Sequence, residues 1–292
     1  MTQSKGPTIN LRRLQDLRIF LTKSRLLYQD IWLFVLCPLT IVFAGTNLQV
    51  FYDFGSLGTA CANQRTNRVT TTVELFYPDN WGNTFAFIDF DYNIHPNDPK
   101  NTPFMAYWEI ARCLNFWQQT TAKDLSVQVE YNGGFGIYKD GAGDLRGYAI
   151  NHAALVGLNY FLHTADYKNT FNIELLFKYV VNDLNMWQIK DAAGHWKNQT
   201  GNVVPLQFTF VWNCQDFCTA PGLTFSGFAD IWGERMNSGQ SFVFISEPQL
   251  WYNVGQWFKC PNLHIGTEIE FSYNFAGTGF MCNPCLGLKW QF

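Results

Sequence analysis

Charge is what this chain has least of. Asp, Glu, Lys and Arg together make 15% of its 292 residues, against about a quarter in ordinary soluble domains. A net charge of −3 leaves no basic surface for a nucleic-acid partner. Long hydrophobic runs are missing too. The longest, Ile31 to Ala44, falls short of the about 20 apolar residues that a membrane-spanning helix needs. With a mean hydropathy of −0.11, a helical membrane protein is excluded. Past residue 45 no segment shows helical periodicity. Metal-ligand spacing is absent as well: Asp140-Gly141-Ala142-Gly143-Asp144 reads as a turn rather than a calcium loop. Neither metal nor cofactor is expected. What the chain has in excess is aromatic side chains, 27 Phe, 13 Tyr and 11 Trp.

The first 45 residues read as an N-terminal extension and signal peptide, and residues 46–292 as one continuous domain. Arg12, Arg13, Arg18, Lys23 and Arg25 precede the apolar run, which ends in Val42-Phe43-Ala44 before a cut after Ala44 or Gly45. The stretch before the run is longer than an ordinary n-region, which points to an over-extended start. Removing the segment takes Cys37 with it and leaves seven of the eight cysteines, an odd number for an exported chain. At least one thiol is then unpaired or pairs between chains. A local Cys282–Cys285 disulfide is open, whereas a redox role lacks the helix that would activate the thiol.

The rest alternates. In Leu286-Gly287-Leu288-Lys289-Trp290-Gln291-Phe292 every second position is large and apolar, and the chain stops on an aromatic. Such a strand has two faces in two different environments. Eleven further segments alternate in the same way, beginning near Leu48, Arg68, Thr84, Pro103, Leu125, Gly147, Phe171, Leu206, Leu223, Ser241 and Leu263. Asn132-Gly133-Gly134 is expected to open a long loop reaching about Arg146, and residues 181–202 form the longest loop; in the segment from Gly147, Ile150 falls on the apolar, outward parity, and Cys61, Cys282 and Cys285 are expected in loops. Two faults stand out: Arg112 on the apolar parity of its strand, read as a bulge or an interfacial Arg, and Pro248, read as a bulge or strained spot.

An apolar strand face fits either a sandwich core or a lipid-facing wall. The polar-tipped rings decide: Tyr52, Tyr77, Tyr92, Tyr131, Tyr160, Tyr179, Trp212, Tyr273 and Trp290 share the apolar parity and sit mostly at strand ends. Amphipathic rings at both ends of an apolar band belong at lipid headgroups, whereas in a sandwich core each would need a hydrogen-bond partner. The expected fold is therefore all-β, a 12-stranded antiparallel up-and-down transmembrane β-barrel in the outer membrane.

The opposite parity then lines the interior. It carries Asp53, Glu74, Asp89, Asp91, Glu109, Glu130, Glu174, Asp230, Glu247, Glu268 and Glu270, against only Arg68, Lys178 and Lys289. Three bases cannot pair eleven acids, so such a lumen disfavours anions and admits neutral or cationic solutes. Asn151 lies on the same parity, as do Phe51, Phe85, Phe87, Tyr107, Phe228, Trp232 and Trp251. These rings either offer stacking faces to a flat solute or simply fill a small barrel.

Several stretches resemble the Tsx-like family of nucleoside-specific channel-forming outer-membrane proteins: Asn47 to Phe54, Trp81 to Asp91, Glu109-Ile110-Ala111-Arg112, Glu130 to Gly134, and Glu247 to Asn253. The resemblance spans the chain beyond the leader. It implies a monomeric twelve-stranded barrel in outer-membrane lipid, passive passage of nucleosides through a narrow channel, and delivery to the barrel-assembly machinery through Phe292. A general small-solute porin is the alternative. A barrel enzyme is set aside because His152, the strand-centre His of the lipid parity, has no Ser or Asp partner in the pattern. An adhesive barrel would need more long loops than residues 181–202 alone.

Overall fold

The computed structural model describes residues 45–57, 66–94, 103–182, 189–190, 196–197, 206–236, 239–275 and 279–292. The expected leader, Cys37, Cys61 and most of the 181–202 loop lie outside the described residues. Apart from a short separate ladder of Ile189–Lys190 with Trp196–Lys197, twelve barrel strands run in chain order: β1 (Thr46–Asp53), β2 (Arg68–Asp79), β3 (Gly82–Tyr92), β4 (Pro103–Leu114), β5 (Leu125–Lys139), β6 (Leu145–His163), β7 (Asn169–Asn182), β8 (Leu206–Gln215), β9 (Leu223–Met236), β10 in two segments (Gly239–Ser246 and Gln249–Asn253), β11 (Leu263–Tyr273) and β12 (Phe280–Gln291). Each pairs antiparallel with its chain neighbours, and β12 returns to β1, with Leu48 opposite Trp290 on one side and Val73 on the other. The sheet is a closed barrel without a free edge.

Burial inverts what a soluble sheet would show. On β1, Leu48, Val50 and Tyr52 face outward and are exposed, while Asn47, Gln49, Phe51 and Asp53 are buried. On β12, Leu286, Leu288 and Trp290 are exposed while Gly287 and Cys285 are buried. Exposed apolar side chains also run along β6 to β8, through Leu158, Leu175, Phe177 and Phe208. A continuous belt of this kind belongs in lipid. The polar-tipped rings flank it: Tyr77, Tyr160, Trp212 and Trp290 lie towards the end that carries Thr46 and Phe292, and Tyr52, Tyr92, Tyr179 and Tyr273 towards the other.

Four sequence expectations are corrected. β5 does not stop at Asn132 but continues through Gly133 and Gly134 to Lys139, leaving a turn at residues 140–144. The glycines are sites of ring coverage rather than turn signals. A Cβ on Gly133 would lie 2.8 Å from His152 Nδ1, and one on Gly136 would meet the ring of Tyr148. Secondly, the β5–β6 register shifts at Asn132/Gly134, and Ile150 pairs with Gly134, the inner-face partner of Tyr107. Ile150 therefore faces inward, not outward as strict alternation demands. Thirdly, Pro248 brings no bulge: the β9–β10 and β10–β11 registers run through it unshifted, and the Pro248 carbonyl still accepts the Ile269 N–H at 3.1 Å. Fourthly, Cys282 and Cys285 lie within β12. Their odd spacing puts them on opposite faces, with no disulfide between them. Arg112 is the interfacial case: its guanidinium reaches the Asp79 carboxylate at 2.8 Å near the β2–β3 turn.

The connections at the end bearing Thr46 and Phe292 are tied by local polar contacts. Lys168 Nζ donates to Asp216 at 2.6 Å, and Gly222 N–H donates to the same carboxylate at 3.0 Å. The Lys168 ammonium and then that N–H hold the Asp216 carboxyl below the usual carboxylate range. The tie is present above the ordinary carboxylate pKa and is lost as pH falls through the lowered one. Hydrogen-exchange protection of residues 216–222 should therefore fall only in acid, and Asp216→Asn should remove the acid dependence.

Gly227, opposite Pro248, has φ +149°, and a Cβ there would stand 2.9 Å from the Trp212 ring and 3.0 Å from Pro248 Cα. Gly227→Val should destabilise the barrel by about 1–3 kcal/mol. The check is a lower urea midpoint in detergent, read by gel mobility of unboiled samples.

Candidate functional site

Inner-face alternation gathers the polar side chains of twelve strands into one interior, where they form three connected groups. The first lies where β1, β2, β3, β11 and β12 approach the end away from Thr46. Arg68 bridges two carboxylates, with Nε 3.4 Å from Asp53 and Nη1 on Asp91. Thr70 donates to Asp91 at 2.6 Å, and the Gly55 N–H donates to Asp53 at 2.7 Å. Asp53 is fully buried. The chain after β1 stays pinned to β12 by Phe54 N–H to the Pro284 carbonyl, Leu57 N–H to the Cys282 carbonyl and Ser56 Oγ to Asn283 Oδ1. Asn283 in turn donates to Glu270 at 3.0 Å, and Ser272 to the same carboxylate at 3.2 Å.

The second group centres on Trp251, which has no exposed surface. Its ring lies 5.5 Å from that of Phe51, and Lys289 Nζ sits 4.3 Å above it. Gly266 and Gly287 make the space: a Cβ on Gly287 would fall 2.6 Å from Phe51 Cδ1 and 3.0 Å from Trp251 Cη2. The indole N–H donates to Gln249 at 2.8 Å, and Gln249 donates to Glu268 at 2.6 Å. Glu247 occupies the break in β10 on the same parity as Gln249 and Trp251. Close by, Asn47 and Gln49 donate to Glu74 at 2.9 and 3.5 Å.

The third group runs from β4 to β9. Glu174 accepts from Gln128 at 2.7 Å and from Asn159 at 2.9 Å, and Gln128 also donates to Glu130 at 2.9 Å. Tyr107 donates to Glu109 at 2.5 Å. Lys178 donates to Gln207 at 2.8 Å, and Gln207 donates to Asp230 at 3.3 Å. Lys178 Nζ also lies 3.9 Å above the Trp232 ring. Beside this group a ladder of half-buried rings, Phe85, Phe87 and Tyr107, runs at centroid spacings of 6.1 and 6.0 Å. Next to it Asp89 accepts from Thr72 at 2.6 Å. Phe228 shares the parity of Asp230 and Trp232 on β9.

The sequence-derived set shares the inner face, Phe228 and Glu247 by strand parity alone, with one exception: Asn151 sits beside the β6 register shift, and its side chain lies outside the described residues. Charge counting overlooked the neutral partners Asn47, Gln49, Gln128, Asn159, Gln207, Gln249 and Asn283. They satisfy carboxylates that three bases could not, and strand parity alone would have placed them on the inner face. The interior is also more filled than an open lumen. Leu176, Val243, Ser272 and Asn283, like Trp251 and Asp53, have no accessible surface. On the lipid face, His152 does have a partner: Tyr131 Oη meets its Nδ1, and the Trp108 ring lies 6.1 Å away, edge to face.

Arg68→Met would leave Asp53 and Asp91 buried without their shared cation. The cost should be about 3–5 kcal/mol, seen as a lower urea midpoint. Adding Asp53→Asn and Asp91→Asn to that variant should recover most of the loss.

A family model described as "Domain of unknown function (DUF5020)" matches residues 45–292. No curated protein matches the chain. Among solved structures it is similar to the NanC porin at 10% identity, covering 85% of this chain and 100% of that one, with a TM-score of 0.48. Outer membrane phospholipase A from Escherichia coli is similar at 10% identity, 84% and 92% coverage and a TM-score of 0.42. The outer membrane channel DcaP of Acinetobacter baumannii is similar at 9% identity, 85% and 96% coverage and a TM-score of 0.40. These likenesses reach the fold alone. Because a phospholipase stands among them, the expectation that the chain is not an enzyme is withdrawn.

Proposed function

We propose that this chain, which belongs to the family described as a domain of unknown function (DUF5020), is an outer-membrane channel for passive, selective passage of small neutral or cationic solutes. The observation that carries this reading is the inner face itself. Among the described residues, its carboxylates Glu74, Asp89, Glu109, Glu130, Glu174, Asp230, Glu268 and Glu270 accept hydrogen bonds from amides and hydroxyls. An interior of that sign lowers the energy of a passing cation and raises that of an anion. A closed, lipid-belted barrel leaves the interior as the route across.

Nucleosides are the finer form of the proposal. The Phe85–Phe87–Tyr107 ladder keeps half-buried ring faces next to Asp89 and Glu109. A flat base can stack on such rings, and carboxylates accept hydrogen bonds from ribose hydroxyls. Residues 1–45 are proposed as the export leader and Phe292 as the contact for barrel assembly, with the barrel working as a monomer.

Liposomes containing the purified barrel should swell faster with nucleosides than with sugars of equal size. Phe87→Ala should cut the nucleoside rate by about tenfold, in line with one lost stacking face, while sparing the sugars. Equal swelling rates for both solutes would reduce the protein to a general porin.

A further inference from the structure

The connections at the end bearing Thr46 and Phe292 form an open depression of about 490 Å³, lined by Asp79, Asn80 and Gly82 around the β2–β3 turn and by Asn115 and Gln118 after β4. Small-ligand sites span about 300–1,000 Å³, so the space suits one. The two connections are tied to each other, which builds the shape in. Asn115 N–H donates to the Trp81 carbonyl at 2.8 Å, and Gln118 Nε2 donates to the Asn80 and Asn115 carbonyls at 2.7 and 3.2 Å. Arg112 holds both oxygens of Asp79, at 2.8 and 2.9 Å.

The lining is polar without unbalanced charge, because the Asp79 carboxylate is matched by Arg112. Side-chain amides, one carboxylate and a glycine backbone favour a neutral occupant rich in hydroxyl and amide groups. Two rings stand beside them. Trp81 lies between the lining residues Asn80 and Gly82 and is 63% exposed, and Phe116, next to Asn115, is 60% exposed. The Trp117 ring meets Phe116 edge to face at 6.0 Å. Unlike Tyr77, Tyr160, Trp212 and Trp290, which sit on strands, Trp81 and Phe116 lie in connections past the strand ends. Planar polar groups next to an open aromatic face recognise a sugar ring: its hydroxyls bond to the former, and its apolar C–H face rests on the latter.

We propose that this depression is a carbohydrate site whose ligand is an N-acetylated sugar of a glycan chain. The acetamido group supplies a donor and an acceptor that match the side-chain amides of Asn80 and Gln118. In an outer-membrane barrel the short connections face the periplasm, so the glycan is one of that compartment. The site lies outside the barrel interior and does not depend on which solute the channel passes.

The test uses the full chain purified in detergent and the trimer of N-acetylglucosamine as the probe, with binding read by calorimetry. Trp81→Ala and Gln118→Ala should each bind the trimer about tenfold more weakly than the parent, with the folded gel mobility of unboiled samples unchanged. A glucose trimer, which lacks the acetamido groups, should bind the parent about tenfold more weakly as well. A parent that does not bind the acetylated trimer overturns the proposal. Equal affinity across the parent and both variants also overturns it and leaves Trp81 a headgroup anchor. Equal affinity for the two sugars overturns the acetylated class, and tighter binding of trialanine than of either sugar overturns the carbohydrate assignment in favour of a peptide. Should Trp81→Ala fail to reach the folded mobility, Gln118→Ala and Asn80→Ala carry the test, and unchanged binding in both overturns it.

Discussion

The constraint on which the rest depends is that a peptide group in hydrocarbon has no water to bond with. Each unpaired N–H or C=O there costs several kcal/mol, so a sheet with oily outer side chains must close on itself. The β1–β12 ladder, from Asn47 opposite Gln291 to Asp53 opposite Cys285, makes that closure. Once it is made, the two side-chain parities of every strand have fixed destinations. Leu286, Leu288 and Trp290 go to lipid, and the acids, amides and glycines go inside.

The interior follows from the same lack of bulk water. A carboxylate enclosed by a sheet needs donors close at hand, and this chain supplies mostly neutral ones. Gln128 and Asn159 serve Glu174, Gln249 serves Glu268, and Asn283 serves Glu270. Amides leave the negative charge in place while meeting its hydrogen-bonding demand. Neutralising the acids with lysines would have given an interior without polarity of sign. At the Arg68 clamp between Asp53 and Asp91 charge is cancelled directly.

Much of this was legible in the sequence because a β-strand writes its two environments into alternate residues. The strand count, the outward girdle of Tyr and Trp, and the inner acids all follow from a period of two. Where sequence and structure differ, the cause is shared: the deciding neighbour lies across the sheet. Gly133 and Gly136 looked like turn residues because the His152 and Tyr148 rings that cover them lie on another strand. Alternation alone points Ile150 outward, and the register shift that turns it inward is visible only in pairing. Pro248 breaks β10 without a bulge, and Gly227, the residue whose missing Cβ leaves room for it, lies on β9. The amide partners carry no formal charge, so charge counting does not reveal them, although strand parity places them on the inner face.

The position of Cys282 and Cys285 on β12 changes what their spacing means. In a helix or a tight turn, two intervening residues bring sulfurs together. In a strand the same interval sends them to opposite sides of a wall, one towards acyl chains and the other towards the enclosed Phe51 and Trp251. This pair is therefore no dithiol couple. The barrel wall acts as an insulator between two sulfurs that share a motif, and an oxidising envelope has no means of joining them while the sheet stays closed.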